Sequence, residues 1–141
     1  MYQKTLKSKI NFKGIGLHSG LVANLLIKPS SPNSGINFVR TDYKGKEKII
    51  KAHISNALPA KLCTTISNKY VSVSTIEHLM SALSGMGIDN AIVEVDGQEL
   101  PILDGSSKEF VIAIQDSGIT VQSCEKKYIK ILKKIIALFL Y

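Results

Sequence analysis

Glu77 and His78 stand side by side in STIEHLMSALSGMG, where Ile76, Leu79, Met80 and Leu83 recur at helical spacing. At about 100° per residue those four make one apolar stripe, and His78 falls roughly 150° from its centre, so its imidazole faces away from the domain's own core. Glu77 lies about 100° from His78, close enough for both to address one cleft. In such a cleft the imidazole holds a metal and the carboxylate moves a proton on metal-bound water. The pair alone does not choose that chemistry. Glu77 also suits the acid position of a capping box opened by Ser74, and His78 also suits a solvated helix face.

The other chemically capable residues are more scattered. GIGLHSG at 14–20 holds His18, and its glycines suit either an anion cradle or a tight turn between the first two strands, of which the turn is expected. His53, in KIIKAHISNA, has no partner motif and is expected on a sheet surface. In ELPILDGSS at 99–107, Pro101 can end a strand and Asp104-Gly105 can turn the chain into a helix cap at Ser106, which gives the segment a structural role. Cys63 and Cys124 are far outside C-x-x-C spacing, and MYQKTLKSKINFKG has no apolar signal-peptide core, so a reduced, cytosolic protein is expected.

The elements that must position these residues follow from composition and pattern. A chain of 141 residues, 45% hydrophobic and 21% charged, suits one globular domain. The formal charge of +7 admits nucleic acid, an anionic membrane or an anionic substrate such as a nucleotide sugar. No stacking platform or nucleic-acid motif accompanies the charge, and the longest apolar run, 135–141, is far short of the ~20 residues that span a bilayer. Strand-like runs occupy 20–28, 36–40 and 62–66, separated by turn clusters. A helix is predicted over 75–85, opened by a Ser74/Glu77 capping box. A type I′ hairpin is predicted next, with Asp96-Gly97 between 90–95 and 98–103. A second helix follows over 107–117, with a Ser106/Glu109 box and an apolar stripe of Phe110, Val111 and Ile114. The fold class is α+β, a mostly antiparallel sheet with two helices packed on one face.

GIGLHSG, LCTTI at 62–66, STIEHLMSALSGMGIDN at 74–90 and ELPILDGSS, in that order, resemble the zinc-dependent UDP-3-O-acyl-N-acetylglucosamine deacetylases of lipid A synthesis. The resemblance runs from the N-terminus to about Lys134. It implies Zn²⁺ as cofactor, with His78 as a ligand, and an acylated UDP-N-acetylglucosamine as substrate. It makes Glu77 the general base and places Leu62, Cys63 and Thr64 along the substrate cleft, with Cys63 a neighbour of the metal and not a required ligand. His18 is not in the implied zinc set.

In that family the remaining zinc ligands, a histidine and an aspartate in an H-x-x-x-D motif, lie in a second domain of similar fold, as does a histidine that protonates the leaving amine. After His78 this sequence has no histidine. The expectation is an N-terminal deacetylase domain at 1–125, followed at 126–141 by the start of a truncated second domain or an altered tail. Two functions follow: zinc-dependent hydrolysis of the N-acetyl group, which the isolated chain is expected to support only incompletely, or a non-catalytic remnant or split-protein subunit that needs a separate second domain. Loss of the neighbour also predicts an exposed patch around His78. A further reading makes KKYIKILKKIIALFLY a lysine-rich membrane-surface helix, whereas the resemblance makes its start a strand.

Overall fold

The computed structural model describes residues 1–59 and 61–133. In chain order the elements are β1 (Tyr2–Leu6), β2 (Ile10–Ile15), β3 (Val22–Pro29), β4 (Ile36–Arg40), β5 (Ile49–Lys51), β6 (Ala57–Leu58), β7 (Thr65–Ser67), β8 (Ser72–Val73), α1 (Glu77–Gly85), β9 (Ala91–Val95), α2 (Lys108–Ser117) and β10 (Ile119–Glu125). The main sheet has the order β2-β3-β9-β4-β5, antiparallel except where β4 runs parallel to β9. Two smaller sheets, β6-β7-β8 and β1-β10, are antiparallel throughout. The domain is therefore the α+β fold the pattern predicts.

Period-two alternation sorts the sheet's faces. Ala23, Leu25 and Ile27 on β3 and Ala91, Val93 and Val95 on β9 are buried, joined by Phe38 and Ile50 from the neighbouring strands. The helices close this face with Leu79, Ala82 and Leu83 from α1 and Phe110 and Ile114 from α2. Phe12 of β2 meets Phe110 edge-on, ring centroids 4.9 Å apart. Ala82 rather than Met80 completes the buried stripe of α1, and Met80 packs at its margin. A cleft of about 470 Å³, lined by Asn11, Lys13, Asn24, Leu26, Glu94 and Asp96, opens on the other face of the sheet, away from both helices.

Several local expectations give way. No hairpin follows β9, because β3 and β4 already occupy both of its edges. The segment after Asp96-Gly97 goes elsewhere: Leu100 N–H bonds Ser74 O, Ile102 N–H bonds Ile15 O, and Gly97 has no positive φ. The Ser74/Glu77 capping box does not form, since the Ser74 hydroxyl donates to Gln98 O and Ile76 takes the cap position. At α2, Ser106 Oγ accepts from Lys108 N–H at 3.1 Å and is itself held by Asp104, so Glu109 closes no box. Residues 126–133 are neither helix nor strand, and the rest of the predicted tail helix lies outside the described residues.

A candidate active site at the start of the first helix

Glu77 and His78 open α1, both half-buried. The Glu77 carboxylate does not turn back to its own helix. Its Oε2 accepts the Thr64 N–H at 2.9 Å, while Ile76 N–H reaches Thr64 O at 3.4 Å. The segment expected to line the cleft is thus brought onto the acid expected to act as base. One carboxylate oxygen is engaged with the Thr64 amide, and Oε1 makes no part of that contact.

Residues 62–64 do this as a bend and not as a strand. β7 begins only at Thr65, Leu62 has φ +65 and is 91% exposed, and Thr64 is exposed. The predicted strand over 62–66 overlooked that its first three residues have no sheet neighbour: β7 pairs with β6 and β8 through Thr65 to Ser67. Cys63 is half-buried and its Sγ sits 3.6 Å from Thr65 Oγ1.

Just before α1, Thr75 is buried with φ +57, a left-handed conformation that a β-branched residue adopts only under constraint. Its hydroxyl donates to Glu99 Oε1 at 2.9 Å. The same oxygen accepts His18 N–H at 3.0 Å, and Oε2 accepts Ser19 N–H at 2.8 Å. Burial would push the Glu99 carboxyl up, but the His18 and Ser19 N–H groups and the Ser19 and Thr75 side chains outweigh it and bring it down to about 2.

GIGLHSG is a tight turn, as expected, but it joins β2 to β3: Gly16 N–H bonds Leu21 O, Gly20 N–H bonds Gly16 O, and Gly20 has φ +66. His18 lies on this exposed turn, and the shared Glu99 oxygen sets its backbone beside the entry to α1. His53 is not on a sheet; it caps a 3₁₀ turn over Ile54–Asn56, where its Nδ1 contacts Ser55 Oγ at 2.8 Å. The sequence reading missed the part Glu99 and Thr75 play. The available signal was a lone acid beside Leu100 and Pro101, a context in which a carboxylate must find donors.

Among the described residues α1 itself exposes no large apolar side chain, but Leu62, in the bend bonded to Glu77, is exposed. Such side chains also gather at the β2–β3 turn, with Ile15, Leu17, Leu21 and Val22, and along the tail, with Tyr128, Ile129, Ile131 and Leu132. Among the described residues no three of His, Cys, Asp and Glu lie together as a metal site, and no helix is long and apolar enough to cross a membrane.

Known proteins are similar to this chain over nearly its whole length. The model of the UDP-3-O-acyl N-acetylglycosamine deacetylase (LpxC) family matches residues 3–138. A UDP-3-O-acyl-N-acetylglucosamine deacetylase of Teredinibacter turnerae is 48% identical over 134 residues, covering 95% of this chain and 44% of that protein. The Shewanella halifaxensis protein of the same name is 47% identical over 136 residues (96% and 44%). Its counterpart in Syntrophus aciditrophicus is 44% identical over 134 (95% and 42%). The chain thus spans less than half the length of these curated relatives. Over the part it shares with them, the chain belongs to the UDP-3-O-acyl N-acetylglycosamine deacetylase family.

Proposed function

We propose that this chain is the N-terminal half of a zinc-dependent deacetylase that hydrolyses the N-acetyl group of UDP-3-O-acyl-N-acetylglucosamine in lipid A synthesis. The observation that carries the reading is the Glu77 carboxylate at the start of α1, oriented by the Thr64 N–H and followed at once by His78. His78 contributes one nitrogen ligand, a chemically apt donor for zinc. A hydrolytic zinc centre takes three protein ligands and keeps one position open. With no three candidate ligands together among the described residues, the proposed centre draws its remaining donors from a second domain.

When bound, zinc supplies Lewis-acid polarisation of the acetyl carbonyl and acidifies a water. Glu77 takes the proton of the attacking water, and the Thr64 amide fixes which way its carboxylate points. Hydrolysis breaks the amide C–N bond, giving acetate and the free amine. On this reading Leu62 and Cys63 would border the bound substrate beside Thr64.

The test mixes this chain, zinc and the separately produced C-terminal half of the Teredinibacter turnerae relative, and follows acetate release. Turnover in the mixture alone, lost in Glu77→Ala and His78→Ala, is the expected result. Two folded halves that associate without turnover, or turnover indifferent to both substitutions, would overturn the proposal and leave a non-catalytic remnant.

A further inference from the structure

We propose that Glu99 is a positioning residue whose carboxylate couples the 16–20 turn to the entry of α1, so that turn and helix are set as one unit beside Glu77 and His78. This inference rests on the reading of Glu77 and His78 as reacting groups, and it adds a part to that site from a distant stretch of chain.

One side chain holds three donors from two elements. His18 N–H and Thr75 Oγ1 share Oε1, and Ser19 N–H takes Oε2. Glu99 is 4% exposed, so these bonds are shielded from competing water. The turn is shaped to admit the carboxylate, because a Cβ on Gly16 would collide with it. Glu99 is itself pinned: it bridges to Ser74, and the next N–H, of Leu100, bonds Ser74 O at 3.1 Å.

The direction of the coupling follows from Thr75. Its positive φ turns the chain sharply between Ser74 and the helix, and the hydroxyl bond to Glu99 holds that unfavourable conformation. Two residues on, Glu77 meets Thr64. A change at Glu99 therefore reaches the Thr64–Glu77 contact through Thr75, and reaches the turn directly through His18 and Ser19. A neutral amide at position 99 offers one acceptor oxygen where two are used, and it turns an NH₂ toward a donor.

The experiment reads backbone amides of the 141-residue chain by ¹H–¹⁵N NMR, with Val93 of β9 as reference. Glu99→Gln is expected to speed exchange at His18 and Ser19 by about tenfold or more and to move the Thr64 resonance, leaving Val93 unchanged. Thr75→Val is expected to move Thr64 while His18 and Ser19 keep their protection, and Thr75→Ser, which restores the hydroxyl, to return Thr64 to its original position. A fixed Thr64 resonance in both Glu99→Gln and Thr75→Val would reduce Glu99 to a fastener of the turn and overturn the coupling; unchanged His18 and Ser19 amides in Glu99→Gln would overturn it at the other end. If Glu99→Gln does not fold, the Thr75 pair decides: movement with valine and recovery with serine upholds the coupling, and any other result ends it. None of these readouts uses turnover, so their failure leaves the assignment of Glu77 and His78 untouched.

Discussion

Thr64 N–H lies 2.9 Å from Oε2 of Glu77, so the bend at 62–64 and the first turn of α1 form a single local structure although thirteen residues separate the two. A charged acceptor strengthens such a bond and orients the carboxylate. The helix gives up the use of Glu77 as a cap, and Ile76 opens α1 with no side-chain partner.

Glu77→Gln keeps the shape and an acceptor for Thr64 while removing the proposed base. In the reconstituted mixture it should lower turnover by about 10²–10⁴-fold. The melting temperature of the chain alone should move little, since the residue is half-exposed and the Thr64 bond persists to a neutral acceptor, weaker by about 1 kcal/mol. A large loss of stability with little loss of turnover would show that the carboxylate serves the fold instead.

Glu99 makes the domain sensitive to acid. Its carboxyl is held at about 2 in the folded chain against an ordinary 4.5, so the folded state favours the ionised form. The resulting stability is fully present above about pH 5 and drains away as pH falls toward 2, amounting to about 3 kcal/mol from a shift of this size. Denaturant unfolding from pH 6 to pH 2.5 should show this loss, and Glu99→Gln should flatten the curve. Asp42, lowered chiefly by its bond to Arg40, leaves a residual slope in the variant.

Much of this architecture is legible in the sequence, and the parts that are not share a cause. Buried β3, β4 and α1 announce themselves through apolar periodicity, and the four motifs reveal the family and the Glu77–His78 pair. β1 hides because it buries the polar Gln3 and Thr5, whose bonds to Asn33 and Asn90 take the place of apolar alternation. Asp96-Gly97 suggests a hairpin by local chemistry, but tertiary pairing of β9 on both sides overrides it. Glu77 and Ser74 fit a capping box equally well in isolation; only the distant partners Thr64 and Gln98 decide their bonds.

Asn90 is a stability centre rather than part of the site. It is 1% exposed, donates to Gln3 Oε1 at 2.8 Å and Gln122 Oε1 at 2.7 Å, and accepts Gly35 N–H at 2.8 Å. Asn90→Ala removes bonds to the buried Gln3 on β1 and to the half-buried Gln122 on β10 and Gly35 before β4, which should cost about 2–3 kcal/mol. Chemical denaturation checks this; a cost under about 1 kcal/mol would mean water or a rotated side chain replaces the amide.

Gly16 and Gly20 flank the same turn for different reasons. A Cβ at Gly16 meets the Glu99 carboxylate and Ser19 Oγ, so Gly16→Ala should displace the carboxylate and cost about 2 kcal/mol. Gly20 has open space but φ +66, so Gly20→Ala should cost about 1 kcal/mol from backbone strain alone. Paired melting curves should rank Gly16 above Gly20, and only Gly16→Ala should disturb the His18 and Ser19 amides.

Zinc should leave the isolated chain almost unmoved. A ligand stabilises a fold with the logarithm of its concentration over its dissociation constant, and on the proposed reading this chain supplies, through His78, one of the three protein donors a hydrolytic centre takes. Melting with micromolar zinc and with excess chelator should therefore coincide, for the chain and for His78→Ala alike. Adding the second half should separate the curves for the unmodified chain and leave those of His78→Ala together. A zinc-dependent shift in the chain alone that vanishes in His78→Ala and grows with protein concentration would show that copies of this domain assemble a metal site between themselves.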